Sequence, residues 1–314
     1  MNDNQKFIID TDIGDDIDDA IALYSAMKRG FSLVGVTTVF RNTADRARQV
    51  KKLMTDFGKG YENVPVVVGL GVPYGTEPTE YPVIPHHTPE MDDDKYAPDN
   101  TDPEAAVDFI IDSCKRYRDE LTIIAIGPFT NIARAIQKDP EALNMAKSVI
   151  IMGGAFYKQY ADWNVMCDVT AADIMFKGLN NLECIGADVT HLMLGEDELY
   201  NSLFDYNGSD ECRRYLKELC LMWKKDRPKS PLLLHDPLVI YYAEDKSICQ
   251  TENAPIAVLT EGFAKGMTLN VKAYSKKWLN EEAYTDFDVN HTAAVAKTAD
   301  REKFNARSLS DYTE

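Results

Sequence analysis

Between Phe7 and Leu23 the chain reads FIIDTDIGDDIDDAIAL, with six aspartates in ten residues directly after three apolar ones. Crowded carboxylates stay ionised only if positive charge sits among them or if they point apart into water. Aspartate is favoured at helix N-caps and in first turns. That accounts for two of the six, but not for Asp10 and Asp12 at the end of the apolar run. Oxygen ligands clustered at a strand terminus suit a hard cation, Ca2+ or Mg2+. Ca2+ takes roughly six to eight oxygens, so further ligands are expected from distant parts of the chain.

The elements that must position such a cluster follow from the hydrophobic pattern. KFIIDT reads as a strand, and DDAIALYSAMKRG as a helix with acidic residues at its start and Gly30 as its stop. FSLVGVTTV is a strand, TADRARQVKKLMTDFG a helix capped by Asn42 or Thr43, and VPVVVGL a strand. Residues 103–117 read as helix, LTIIAIG as strand, FTNIARAIQKD as helix and AKSVIIMGG as strand. This alternation predicts an α/β fold, a mostly parallel, Rossmann-like central sheet flanked by helices. The C-terminal half adds helices over 196–204, 209–227 and 235–244, then two strand-like runs, APIAVLT and GMTLNVKAYS. There is no internal repeat and no flexible linker, so residues 1–314 are expected to form a single domain. The Pro-, acid- and Tyr-rich segment 70–102 has no period, and a loop of that length is usually functional or mobile. Ligands of open parallel sheets lie beyond the carboxyl ends of the strands. The loops after FIID, GVTTV, IIAIG and VIIMGG should therefore surround one cleft.

Bulk properties narrow the function. A formal charge of -17 repels nucleic-acid phosphate, which argues against a nucleic-acid partner. No apolar run approaches ~18 residues, so no membrane span is expected. The start MNDNQKFIID lacks a signal-peptide pattern. The six cysteines lack CxxC spacing and read as reduced thiols of a cytoplasmic protein.

Several segments together resemble the inosine-uridine-preferring nucleoside hydrolases. DTDIGDDIDDAIAL is similar to their amino-terminal signature, and TTVFRN (Thr37 to Asn42) to their second strand with its asparagine. AIGPFTNIA resembles their GPLTN loop. IMGGA followed by DWN and the AA of Ala171 and Ala172 resembles their MGG…EFN…DPEAA segment, and HDP (His235 to Pro237) opens their late helix. The five segments span residues 7–237 in the family's order. The resemblance implies a Ca2+ ion held by Asp12, Asp19, Asp236 and the main-chain carbonyl of Ile126, with a water and two substrate hydroxyls completing the shell. It implies ribose recognition by Asp18, Asn42, Asp162 and Asn164, with Trp163 flanking sugar or base. It also implies a homodimer or homotetramer acting on nucleosides in base salvage. Asp15 and Asp16 fall in a two-residue excess over the family pattern, and the surface is their expected place.

The expected chemistry is hydrolysis of the N-glycosidic bond of a ribonucleoside to free base and ribose. A ribosyl cation forms in such cleavages, and carboxylates favour its charge. Asp12 is the candidate general base for a water activated by Ca2+. His235, beside Asp236, is the candidate acid for the leaving base, its pKa tuned by nearby carboxylates. The plainer account of HDP is an ordinary helix start. Four departures from the family bear on base and sugar preference, one being that the asparagine preceding the EFN segment has no clear counterpart here. Asp162 stands where it has Glu, Trp163 stands where it has Phe, and YPVIPHHTPEMDDDKY replaces its HGxxG stretch, offering His86 or His87 to the base. Two other readings compete. A haloacid-dehalogenase-like Mg2+ phosphatase also begins with D-x-D, here Asp10 and Asp12, but does not explain HDP. A non-catalytic nucleoside-binding homologue would accommodate the departures.

Overall fold

The computed structural model describes residues 4–75, 89, 91, 94–271 and 292–313. His86, His87 and the end of the run expected from Gly266 to Ser275 lie outside the described residues. In chain order the elements are β1 (Lys6–Thr11), α1 (Asp18–Lys28), β2 (Leu33–Thr38), α2 (Thr43–Phe57), β3 (Val66–Val68) and α3 (Glu104–Tyr117). Next come β4 (Leu121–Ala125), α4 (Thr130–Lys138), β5 (Ser148–Met152), α5 (Trp163–Cys167), α6 (Val169–Gly178), β6 (Leu182–Ile185) and α7 (Ala187–Thr190). The chain continues with α8 (Asp197–Phe204), α9 (Glu211–Asp226), α10 (His235–Glu244), β7 (Cys249–Val258), β8 (Thr268–Asn270), β9 (Thr292–Ala299) and α11 (Arg301–Thr313).

The strands form one sheet in the order β3-β2-β1-β4-β5-β6-β9-β7-β8. β1 to β6 and β9 run parallel. β7 is antiparallel to β9, and β8 to β7. The continuous apolar runs have a simple cause, because a parallel strand covered by helices on both faces has no solvent side. Along β1, Phe7 and Ile9 join the core shared with α1, α2, α9 and α10, while Ile8 faces the core shared with α3, α4 and α6. The chain leaves β1 for β2 and β3 on one side, then returns to place β4 on the other. That reversal puts the β1/β4 boundary at a topological switch point, where the loops diverge and leave a crevice.

α1 and α10 lie against one another although more than two hundred residues separate them. Ser25 Oγ and Tyr241 Oη are 3.1 Å apart in the shared core. Arg29 Nη1 pairs with Glu244 Oε2 at 2.9 Å at the far ends of both helices. This packing brings the two N-termini, one carrying Asp18 and Asp19 and the other Asp236, to the mouth of the switch-point crevice.

Candidate active site

The site begins where β1 stops. Thr11 Oγ1 donates to Asp19 Oδ1 at 2.5 Å and accepts from Ile13 N at 3.1 Å, tying strand end to helix start. Gly14 turns the chain in the left-handed region, φ 107°, which a side chain would resist. Asp18 Oδ2 accepts from the backbone N–H groups of His235 at 3.1 Å and Asp236 at 3.3 Å. A residue in the first turn of α1 therefore caps α10, and two positive helix ends face one point. One carboxylate oxygen each from Asp18, Asp19 and Asp236 lie within 4.8 Å of one another, all three residues buried.

The sequence reading expected Asp19 and Asp236 as ligands, and the structure brings their carboxylates together with that of Asp18. Asp12 stands outside the trio, yet its charge helps push up all three pKa values. Burial is the largest cause for Asp18, Asp19 and Asp236, followed by the charge of neighbouring aspartates. Burial likewise lifts Asp12 to about 7, against the opposing pull of Arg46. Buried, oxygen-only donors that repel one another match what a hard divalent cation needs, and such an ion would reverse the repulsion. The donor set fits a metal.

Asp15 and Asp16 have different surroundings. Asp15 is buried, against the expectation of a surface place, because it faces arginines. Its Oδ1 lies 3.2 Å from Arg46 Nη2 and its Oδ2 3.7 Å from Arg41 Nη1. Asp16, half-exposed, pairs with Arg227 at 2.6 Å. Arg46 is fully buried and also donates to the carbonyls of Phe40, Asp12 and Ile13, the last at 2.8 Å. It fixes the turn that carries Asp12. Asp10 lies deeper still. Its Oδ1 accepts from Thr37 Oγ1 at 2.6 Å and Asn131 Nδ2 at 2.8 Å, and it does not line the cleft. The D-x-D nucleophile that a phosphatase would need is thus sealed in the core.

The cleft above the trio holds about 490 Å³. Its floor includes Ile126, whose carbonyl accepts from Asn164 Nδ2 at 2.9 Å. The same amide donates to Met152 O at 3.1 Å, so Asn164 clamps the ends of β4 and β5. A carbonyl has a second lone pair, which leaves Ile126 able to serve another partner. Gly127 permits this approach, since a Cβ there would stand 3.0 Å from Asp12 Oδ1 and 2.9 Å from its backbone nitrogen. Asp162 caps α5, its Oδ1 accepting from Val165 N at 3.2 Å, and it lines the cleft beside the exposed Trp163. Asn42 behaves as a helix cap, accepting from Asp45 N at 3.3 Å. Its neighbour Arg41, rather than Asn42, lines the cleft. All six cysteines are free thiols.

His235 lines the cleft with its Nδ1 2.6 Å from Thr190 Oγ1. Its pKa is set by other groups than the carboxylates expected to tune it. Burial, helped by the charge of His191, pushes it down to about 4. His191 and Tyr160 complete this wall, Tyr160 Oη lying 2.9 Å from His191 Nδ1. The two imidazole rings meet edge to face with centroids 5.1 Å apart.

Arg46, His191 and Tyr160 escaped the sequence reading. For Arg46 the signal was a charge four and seven residues before Val50 and Leu53, inside the apolar stripe of α2. For His191 it was the loop beyond LECI, a strand end that the same carboxyl-end rule would have flagged.

A family profile described as inosine-uridine preferring nucleoside hydrolase matches residues 7–306. The chain is 28% identical over 278 residues to the inosine-uridine preferring nucleoside hydrolase of Leishmania major, covering 84% of this chain and 87% of that one. It is 27% identical over 296 residues to probable uridine nucleosidase 1 of Oryza sativa subsp. japonica, covering 90% and 89%. Among solved structures it resembles a plant nucleoside hydrolase, with TM-score 0.80, 27% identity and 99% of each chain covered. It is also similar to a purine-preferring ribonucleoside hydrolase of Gardnerella vaginalis, with TM-score 0.78, 25% identity and 98% of each chain covered.

Proposed function

The chain belongs to the inosine-uridine preferring nucleoside hydrolase family, and from that premise we propose how this cleft cleaves the bond between base and ribose. The enzyme is an N-ribohydrolase acting on ribonucleosides. The single observation that carries the reading is the buried trio of Asp18, Asp19 and Asp236 at the switch point.

In our reading the trio's Asp19 and Asp236, with Asp12 and the Ile126 carbonyl, would hold Ca2+. Bound there, the ion would supply the positive charge that acidifies a water. Asp12 takes the proton of the attacking water, a role supported by its place on the cleft wall beside the carboxylates of Asp18, Asp19 and Asp236. Asp18, Asp162 and Asn164 orient the ribose, whereas Asn42, expected among them, is engaged as the cap of α2 and lies outside the cleft lining. Asp18 and Asp162 reach it from helix N-termini that already hold their carboxylates, and Trp163 covers the open side. His235 faces the leaving base. Its Nδ1 contact with Thr190 fixes the ring and leaves Nε2 for the base. Electrons of the breaking bond stay on the base nitrogen, positive charge spreads over C1′ and the ring oxygen, and the surrounding carboxylates stabilise it.

The family resemblance also carries our proposals of a single domain, a homodimer or homotetramer, a cytoplasmic location and a part in purine or pyrimidine salvage. No helix among the described residues is long and apolar enough to cross a membrane. The deciding experiment is a panel of nucleosides followed for free ribose, with and without chelator, beside p-nitrophenyl phosphate with Mg2+. Ribose release that chelation removes and Asp12→Ala abolishes is expected. Phosphate release without ribose release would refute the reading.

A further inference from the structure

We propose that His191, held by Tyr160, is a second catalytic residue of this site and donates a proton to the departing base beside His235. The inference rests on the ribohydrolase reading above and adds a residue to it. His191 and His235 line the same cleft, and their rings touch edge to face at 5.1 Å. They differ in access. His235 is half-buried, with its Nδ1 engaged by Thr190 at 2.6 Å, so it has less contact with the solvent that would recharge it. His191 is exposed at the cleft's edge, and Tyr160 Oη occupies its Nδ1 at 2.9 Å. That contact leaves Nε2 as the nitrogen free to meet a ligand.

The Tyr160 hydroxyl suits a ring that gains and loses a proton. It accepts from Nδ1–H both in the imidazolium and in the neutral ring left once Nε2 has given up its proton, so the ring keeps its orientation in both states. The other groups acting on His191 are His235, Lys158 and Asp188. The step balances. The C1′–N bond breaks with its electron pair on the base, His191 passes its Nε2 proton to the base, and the water that adds to C1′ gives its proton to Asp12. Solvent then returns one proton from Asp12 to His191, and the sum is one water consumed for one base and one ribose released.

The test compares two leaving groups. A purine or pyrimidine base departs poorly without a proton, whereas p-nitrophenolate from p-nitrophenyl riboside is stable as an anion. We expect His191→Gln to lower kcat for nucleosides by about 10²-fold, the lower end of general-acid contributions, with KM changed less than ~3-fold. Turnover of p-nitrophenyl riboside should stay within ~3-fold, which also reports an intact fold and metal site. Tyr160→Phe should show the same selectivity at a few-fold. Equal loss on both substrates, or loss on neither, overturns the proposal. If the unsubstituted protein released no ribose from any nucleoside, the functional reading itself would fall, a result distinct from any behaviour of the variants.

Discussion

Only Ile17 separates Asp15 and Asp16 from Asp18 and Asp19, yet the two pairs meet opposite electrostatic surroundings. Asp15 faces Arg46 and Arg41, and Asp16 faces Arg227. Asp18 and Asp19 face Asp236 and are themselves pushed toward protonation by burial and by neighbouring aspartates. The charge of the first pair is balanced by the chain's own arginines. The second is left with excess negative charge in a buried place, a state that folding tolerates only when function requires it. Proximity in sequence therefore says little about role, and the location of the nearest cation says most.

The largest break in this contrast comes from neutralising the unsatisfied side. Asp19→Asn or Asp236→Asn should reduce ribose release by at least ~10²-fold, since each removes a ligand. The same change relieves repulsion in the metal-free protein, so its melting temperature with chelator present should hold or rise while activity collapses. A melting temperature that fell together with activity would show the trio to be a stability element instead.

Next in size is the satisfied side. Arg46→Met removes the nearer of the two cations facing the Asp15 carboxylate and the buried donor to the carbonyls of Asp12 and Ile13. Breaking a buried pair from one side costs about 3–5 kcal/mol. Denaturant unfolding should register a loss of that order, insensitive to salt. Here a charge stabilises the protein that carries the machinery, whereas the trio's charge serves the machinery.

How far the sequence disclosed this division can be followed residue by residue. The βαβ order was legible because strands covered on both faces leave apolar runs that no surface element would have. Asp19 and Asp236 were legible because motif order, not local pattern, linked them across the chain. The roles of Asp15 and Asn164 were not. Both depend on partners from other loops, Arg46 and Arg41 for one and the Ile126 and Met152 carbonyls for the other, and no spacing rule connects such positions. The direction of the His235 shift was not legible for a similar reason: adjacency to Asp236 in sequence pointed to carboxylates as the tuning groups, while burial and His191 set the direction.

pH supplies a smaller handle on the same contrast. In the metal-free protein the trio and Asp12 have pKa values above those of the unfolded chain. The folded state then holds protons that the unfolded state has released, so stability falls as pH rises from about 4 toward 7. With chelator present, the melting temperature should decline by a few degrees between pH 5 and pH 7. Ca2+ should remove the decline, because metal binding needs the ionised ligands and displaces those protons. Asp19→Asn should flatten the curve in chelator, whereas a slope that kept its size in that variant would assign the protons to other groups.

The smallest effect belongs to Asp16 and Arg227, and it sharpens the comparison within the satisfied side. Their contact at 2.6 Å is shorter than the 3.2 Å between Arg46 and Asp15, so distance alone would rank it first. Both side chains are 41% exposed, whereas that of Arg46 is 0% exposed. Water screens the first pair and is absent from around Arg46, so burial should outweigh distance. A double-mutant cycle with Asp16→Asn and Arg227→Gln should return a coupling below about 1 kcal/mol, fading as salt shortens the reach of exposed charges. A coupling that matched the Arg46 loss and persisted in high salt would mean that the Asp16 contact is effectively dry, and that exposure is the wrong variable by which to separate the two arginines.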